Sequence, residues 1–204
     1  ALYSKELLRR KIDTYRRHSV TAFPGGQFLE YAISRNLTDA YLKDTVDSGF
    51  EALEVSDNLL ELAQRDKHEI ISHAHNDFGL KVLGEVGSKA DVSSAKGLID
   101  DALGCLEAGA WKVLFEAAEF YEDGHFRDDL AEQILSSVPV DQVIFELPGS
   151  WIAGISASDV HDMQVWLLER VGPQVNVGNV APGDVVSFEA LRLNLGVKMR
   201  FDTP

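Results

Sequence analysis

Short apolar runs alternate with longer amphipathic runs along the whole chain, and this alternation predicts the elements. The strand-length runs cover residues 19–23, 50–55, 80–86, 111–116, 142–146 and 174–177. They are apolar on both faces, as strands of a parallel sheet covered by helices should be. Helical periodicity covers residues 27–34, 38–48, 60–76, 92–107, 126–135, 158–170 and 183–195. Strand followed by helix, repeated without a compositional break, predicts an α/β fold with right-handed crossovers.

One polar residue recurs near the strand ends: Glu54, Glu85, Glu116, Glu146 and then Asn176, at spacings of 31, 31, 30 and 30 residues. One βα unit is about that long. A step of 30 back from Glu54 reaches Pro24, where Phe23-Pro24-Gly25-Gly26 closes an earlier strand run, so six units share one register. An open doubly wound sheet has no need of a polar group at every strand end, whereas a (β/α)8 barrel builds its site there. The pattern therefore predicts a single (β/α)8 barrel domain over residues 1–204 with six βα units visible. The expectation is that two units precede Ala1, or that a partner covers the open edge of an incomplete barrel.

Charge narrows the function. With 19 Lys+Arg against 33 Asp+Glu the net charge is −14, which argues against nucleic acid and anionic membranes as partners. The basic cluster Arg9, Arg10, Lys11, Arg16 and Arg17 reads as the solvated face of an opening helix. The single cysteine, Cys105, excludes an intramolecular disulfide and a multi-cysteine zinc site, and its apolar setting predicts a buried helix position in a reducing compartment. No apolar run is long enough to span a bilayer and no basic-then-apolar leader opens the chain, so a soluble cytoplasmic protein is expected.

Four glutamates around one barrel mouth raise one another's pKa unless a cation or shared protons compensate. Oxygen donors favour Mg²⁺ over zinc, in a site completed by substrate oxygens and water. Lys89, just past a strand end, offers an ammonium to an anionic substrate or a proton to an intermediate. Asp57 and Asn58 close a turn in which Ser56 or Asp57 is also able to cap the next helix. Residues 176–184 lead from the last strand into a helix, where barrels bind phosphate with backbone N–H groups and the helix dipole; Gly178 permits close approach. His73-Ala-His75 could supply two imidazoles to a metal, but it falls on the rim opposite the strand ends. Trp111, Trp151 and Trp166 read as packing anchors.

Taken together, Pro24-Gly-Gly-Gln-Phe-Leu-Glu30, Gly49-Phe-Glu-Ala-Leu-Glu-Val-Ser-Asp57, Gly84-Glu-Val-Gly-Ser-Lys89, Glu107-Ala-Gly-Ala-Trp-Lys-Val-Leu-Phe-Glu-Ala-Ala-Glu119, Val143-Ile-Phe-Glu146 and Gly172-Pro-Gln-Val-Asn-Val-Gly-Asn-Val180 with Phe188-Glu-Ala-Leu-Arg192 resemble the phosphosulfolactate synthase family. The resemblance implies a (β/α)8 barrel enzyme, a carbon–sulfur lyase, that adds sulfite to phosphoenolpyruvate with Mg²⁺, giving (2R)-phospho-3-sulfolactate. This is an early step of coenzyme M synthesis in methanogens. It implies Glu85 and Glu116 as metal-site residues, and Lys89, Glu116 and Glu119 as catalytic residues. Gly25, Gly26, Asp57, Glu146, Asn176, Gly178 and Asn179 would be substrate contacts, with Gly178 and Asn179 on the phosphate. A small anionic substrate and a homo-oligomer are expected. Ala118 stands where the family pattern carries an arginine. The family also holds plant heat-stress-associated relatives, so two other readings stand beside this one: a non-catalytic interaction protein on the same barrel, or an enzyme for another enol-phosphate or 2-oxo acid.

Overall fold

A computed structural model describes residues 3–87, 93–122, 125–149 and 152–196. The chain forms two compact units, one of Ala1–Val86 with Asp100–Val113 and one of Gly87–Ile99 with Leu114–Pro204. Among the described residues no helix is long and apolar enough to cross a membrane.

The first unit begins with helices α1 (Lys5–Arg17), α2 (Gly26–Ser34) and α3 (Thr38–Ser48), followed by strand β1 (Ala52–Val55), helix α4 (Gln64–Asn76) and strand β2 (Lys81–Val86). Helix α5 (Ala95–Glu107) and strand β3 (Ala110–Phe115) each have residues in both units. β1 and β2 are parallel, with Ala52 opposite Lys81 and Val55 opposite Gly84. Leu29, Leu42, Leu53, Ile71, Val82 and Cys105 are buried in this unit. A Cβ on Gly84 would lie 3.1 Å from the Cys105 sulfur, so α5 approaches β2 as closely as glycine allows. The basic cluster is solvated, as read from the sequence: Arg16 pairs with Glu51 and Asp13 and donates to the Gly49 carbonyl, and Lys11 lies over the Tyr3 ring.

The second unit contains the short hairpin β4 (Tyr121–Glu122) and β5 (His125–Phe126), then α6 (Asp128–Ser137), β6 (Val143–Glu146), α7 (Ala157–Val171), β7 (Val177–Gly178) and α8 (Val185–Arg192). β6 and β7 are parallel, with Glu146 opposite Gly178. Phe115, Phe120 and Phe145 form an aromatic core with ring centroids 5.5–6.5 Å apart. Phe126 extends it to Trp166 at 5.2 Å. α7 starts with a capping box, in which Ser156 and Asp159 satisfy each other's backbone N–H groups.

Several expectations need correction. Residues 19–23 form no strand: the Val20 N–H turns back to the Tyr15 carbonyl, Ser19 takes φ 58°, and Pro24 has no N–H for a ladder. The helix expected from residue 60 begins at Gln64, because the Leu59 and Leu60 N–H groups turn to the Glu30 carboxylate. Residue 126 belongs to the hairpin, which delays α6 to Asp128. The polar phase is also staggered. Glu54 lies opposite Leu83, two residues before Glu85, and Gly178 rather than Asn176 lies opposite Glu146. Offsets of two keep the side-chain face, which is why the spacing looked regular in sequence.

Candidate active site

In the first unit the site is built on the ends of β1 and β2. The Glu54 carboxylate accepts the Gly26 N–H at 2.8 Å, at the positive end of α2. Gly26 is required there by space, since an added Cβ would sit 2.1 Å from the Ser56 hydroxyl oxygen. Neighbouring Gly25 is the N-terminal cap of α2. Glu30, buried on α2, accepts the Ser56 hydroxyl at 2.5 Å and the Leu59 and Leu60 N–H groups at 2.5 and 2.8 Å. This carboxylate holds the β1–α4 loop, and Asn58 of that loop donates to the Glu85 carboxylate at 2.7 Å. Asp57 remains partly exposed. Burial raises its pKa, the ammonium of Lys67 offsets part of the rise, and Asp101 and Glu30 add to it.

Sequence reasoning missed Lys67. Its side chain is only 1 % exposed and donates to Asp101 at 2.6 Å, to the Glu85 carbonyl at 3.1 Å and to Asp57 at 3.4 Å. Burial works against the ammonium, but Asp101 and Asp57 outweigh it and its pKa is raised. The available signal was helical phase: Lys67 shares the buried face of α4 with Ile71 and Ala74.

His73 and His75 hold the far end of α4 in place. His73 bonds Asp77 and Asp39 at 2.6 and 2.9 Å, and His75 lies 3.4 Å from the Leu80 carbonyl.

In the second unit Glu116 and Glu119 are buried just beyond β3. Glu116 caps a single 3₁₀ turn over Ala117–Phe120, its carboxylate accepting the Ala118 N–H at 3.3 Å. The Glu119 carboxylate accepts the Ser93 N–H at 2.8 Å and its hydroxyl at 2.6 Å. Gly87, at φ 109°, makes this closeness possible, since a Cβ there would lie 2.7 Å from the Glu119 Cγ. Carboxylate oxygens of Glu116 and Glu146 lie within 4.8 Å of each other. Both offer carboxylate oxygens, the donor type a hard divalent cation takes. Arg127, also missed in sequence, donates to the Glu119 carbonyl at 3.1 Å.

Beyond β6 and β7 a cavity of about 470 Å³ is lined by Asn179, His161, Gln164, Asp184 and Ser187, with Pro148 on its wall. Asn179 takes φ 60° as the chain turns away from Gly178. Asn176 is directed elsewhere: its amide donates to the Asp141 and Val143 carbonyls at 3.2 and 2.9 Å, fastening the start of β7 to the segment entering β6. Lys89 lies outside the described residues.

Comparison with known proteins adds to this geometry. The family model for (2R)-phospho-3-sulfolactate synthase matches residues 1–197. The phosphosulfolactate synthase of Methanothermobacter thermautotrophicus is 30% identical over 95% of this chain and 75% of its own. That of Methanocaldococcus jannaschii is 30% identical over 96% of this chain and 77% of its own. In fold, the chain is similar to 2,3-dimethylmalate lyase, a PEP mutase/isocitrate lyase superfamily member, with TM-score 0.50 at 13% identity. The match covers 95% of this chain and spans 66% of that one.

Proposed function

We propose that this chain, which belongs to the (2R)-phospho-3-sulfolactate synthase family, catalyses the Mg²⁺-dependent addition of sulfite to phosphoenolpyruvate. The carboxylate pair Glu116 and Glu146 is the observation that carries this reading beyond family membership. Sulfite attacks the methylene carbon and forms the C–S bond. The displaced electron pair moves onto the substrate carboxylate as an aci-form, and a proton then reaches the adjacent carbon to give (2R)-phospho-3-sulfolactate. Mg²⁺ held by Glu116 and Glu146 would neutralise the charge that builds on the carboxylate. Glu119 holds Ser93, and Gly87 packs closely against Glu116 and Glu119. Lys89 is assigned as proton donor or anion clamp, and the N–H groups after Gly178 as the phosphate contacts. The same reading takes the βα units as belonging to a (β/α)8 barrel, which the parallel register supports. It also takes the protein as a cytoplasmic homo-oligomer.

Ala118, in place of an arginine, favours as a second reading a non-catalytic protein on the same scaffold. Loss of enol absorbance from phosphoenolpyruvate distinguishes the two. The proposal expects a loss that requires sulfite and Mg²⁺, and that falls at least about 100-fold in Glu116→Gln. A signal that does not depend on sulfite, or no signal at all, overturns it.

A further inference from the structure

We propose that Lys67 is a positioning residue: its buried ammonium, anchored on Asp101, ties the Asp57 carboxylate to the backbone at Glu85 and so sets the β1–α4 loop against the end of β2 for the substrate. This rests on the reading that these strand ends serve the reaction. Lysine is almost never fully buried unless paired, and here each of its three N–H donors has an acceptor. Those acceptors lie on three separate elements: α5, the loop after β1 and the end of β2. Asp101 is in turn held by His68 Nε2 at 3.1 Å, with the Cys105 sulfur 3.9 Å from the same oxygen.

The anchor is deep and the other end is not: the Asp101 side chain is 10% exposed and that of Asp57 22%. A group that merely filled the core would not run from a nearly buried carboxylate to a partly exposed one in the loop after a strand. Donor atoms of His68, Asp101 and Cys105 do lie within 4.8 Å of one another. A metal there would face the ammonium 2.6 Å from Asp101, and would need a thiolate from a thiol that burial and Asp101 push up to about 12. Packing also closes the place, since a Cβ on Gly104 would meet the His68 ring at 2.3 Å.

The test compares the wild type with Lys67→Met and with Lys67→Met/Asp101→Asn, reading the thermal midpoint, kcat and KM for phosphoenolpyruvate. The double variant leaves neither of those two buried charges without its partner, so it keeps the fold even if the single variant fails. The expected result is a double variant that recovers most of the midpoint yet stays at least about 30-fold down in kcat, because Asp57 and the Glu85 carbonyl still lack their donor. Recovery of kcat together with the midpoint would reduce Lys67 to a counter-charge for Asp101 and overturn the proposal. A second readout does not need turnover. Asp57 faces Lys67, Asp101 and Glu30, and Lys67 acts on it most strongly among the three. Its ¹³C-carboxyl titration should therefore move to higher pH in the double variant even if the wild type fails to consume phosphoenolpyruvate, and an unmoved Asp57 overturns the proposal.

Discussion

Replacing Glu30 by alanine tests how the β1–α4 loop is held. The buried carboxylate accepts three bonds, from the Ser56 hydroxyl and from the Leu59 and Leu60 N–H groups. Bonds to a charged acceptor contribute about 1.5–3 kcal/mol each, and a buried donor left without an acceptor costs about 1–3 kcal/mol. Ser56 is fully buried and Leu59 lies at the surface, so water can replace the carboxylate at Leu59 but not at Ser56. Burial of the carboxylate is itself unfavourable, and its removal returns part of the loss. The net expectation is a destabilisation of about 3 kcal/mol, or roughly 6–12 °C in midpoint for a chain of this size. Urea unfolding followed by circular dichroism measures it. Glu30→Gln, which keeps one acceptor oxygen in the same volume, should lose about half as much. Hydrogen exchange at the Leu59 and Leu60 amides should accelerate in Glu30→Ala before any global unfolding. A change below about 1 kcal/mol with unaltered exchange would refute the idea that this carboxylate holds the loop.

Three further outcomes follow from the geometry. Gly26→Ala places a methyl 2.1 Å from the Ser56 oxygen and should cost about 1–3 kcal/mol in denaturant unfolding. His73 has its pKa raised above 6.5, first by its bond to Asp39 and then by that to Asp77. Its contribution is therefore full below 6.5 and is lost as pH rises through the raised value, so the midpoint deficit of His73→Gln should be larger at pH 5.5 than at pH 9. Equal deficits would contradict the assignment. The Cys105 thiol, buried and pushed up to about 12, should react with a disulfide reagent only after unfolding, whereas labelling of the native protein would contradict its burial.

Strand and helix types were legible in sequence wherever burial set the pattern, as in Ala52–Val55, Lys81–Val86 and Ala110–Phe115. Residues 19–23 show why a pattern alone misleads: Val20 and Phe23 are apolar but exposed, and a turn beginning at Ser19 directs the N–H groups back to α1. Regular spacing of the glutamates revealed the repeat but not the stagger between strands. Register depends on which N–H meets which carbonyl, and a two-residue shift leaves the hydrophobic pattern intact. Asn176 was read as a site residue from that spacing, whereas its amide binds carbonyls near the start of β6. Glu30 and Arg127 were illegible as site residues, because a charged side chain in a helical stretch reads as solvent-facing until its partners, distant in sequence, are known, and for Lys67 only its phase with Ile71 and Ala74 on α4 spoke against that reading.

The proposed reaction is defined by where the new bond forms. Phosphoenolpyruvate labelled with ¹³C at its methylene carbon, incubated with the protein, sulfite and Mg²⁺ in D₂O, reports this directly by NMR. The expected result is that the vinyl signal is replaced by a sulfonate-bearing methylene next to a carbon that carries one deuterium and keeps its phosphate. It is contradicted if the label stays vinylic, or if it appears only in pyruvate with free phosphate.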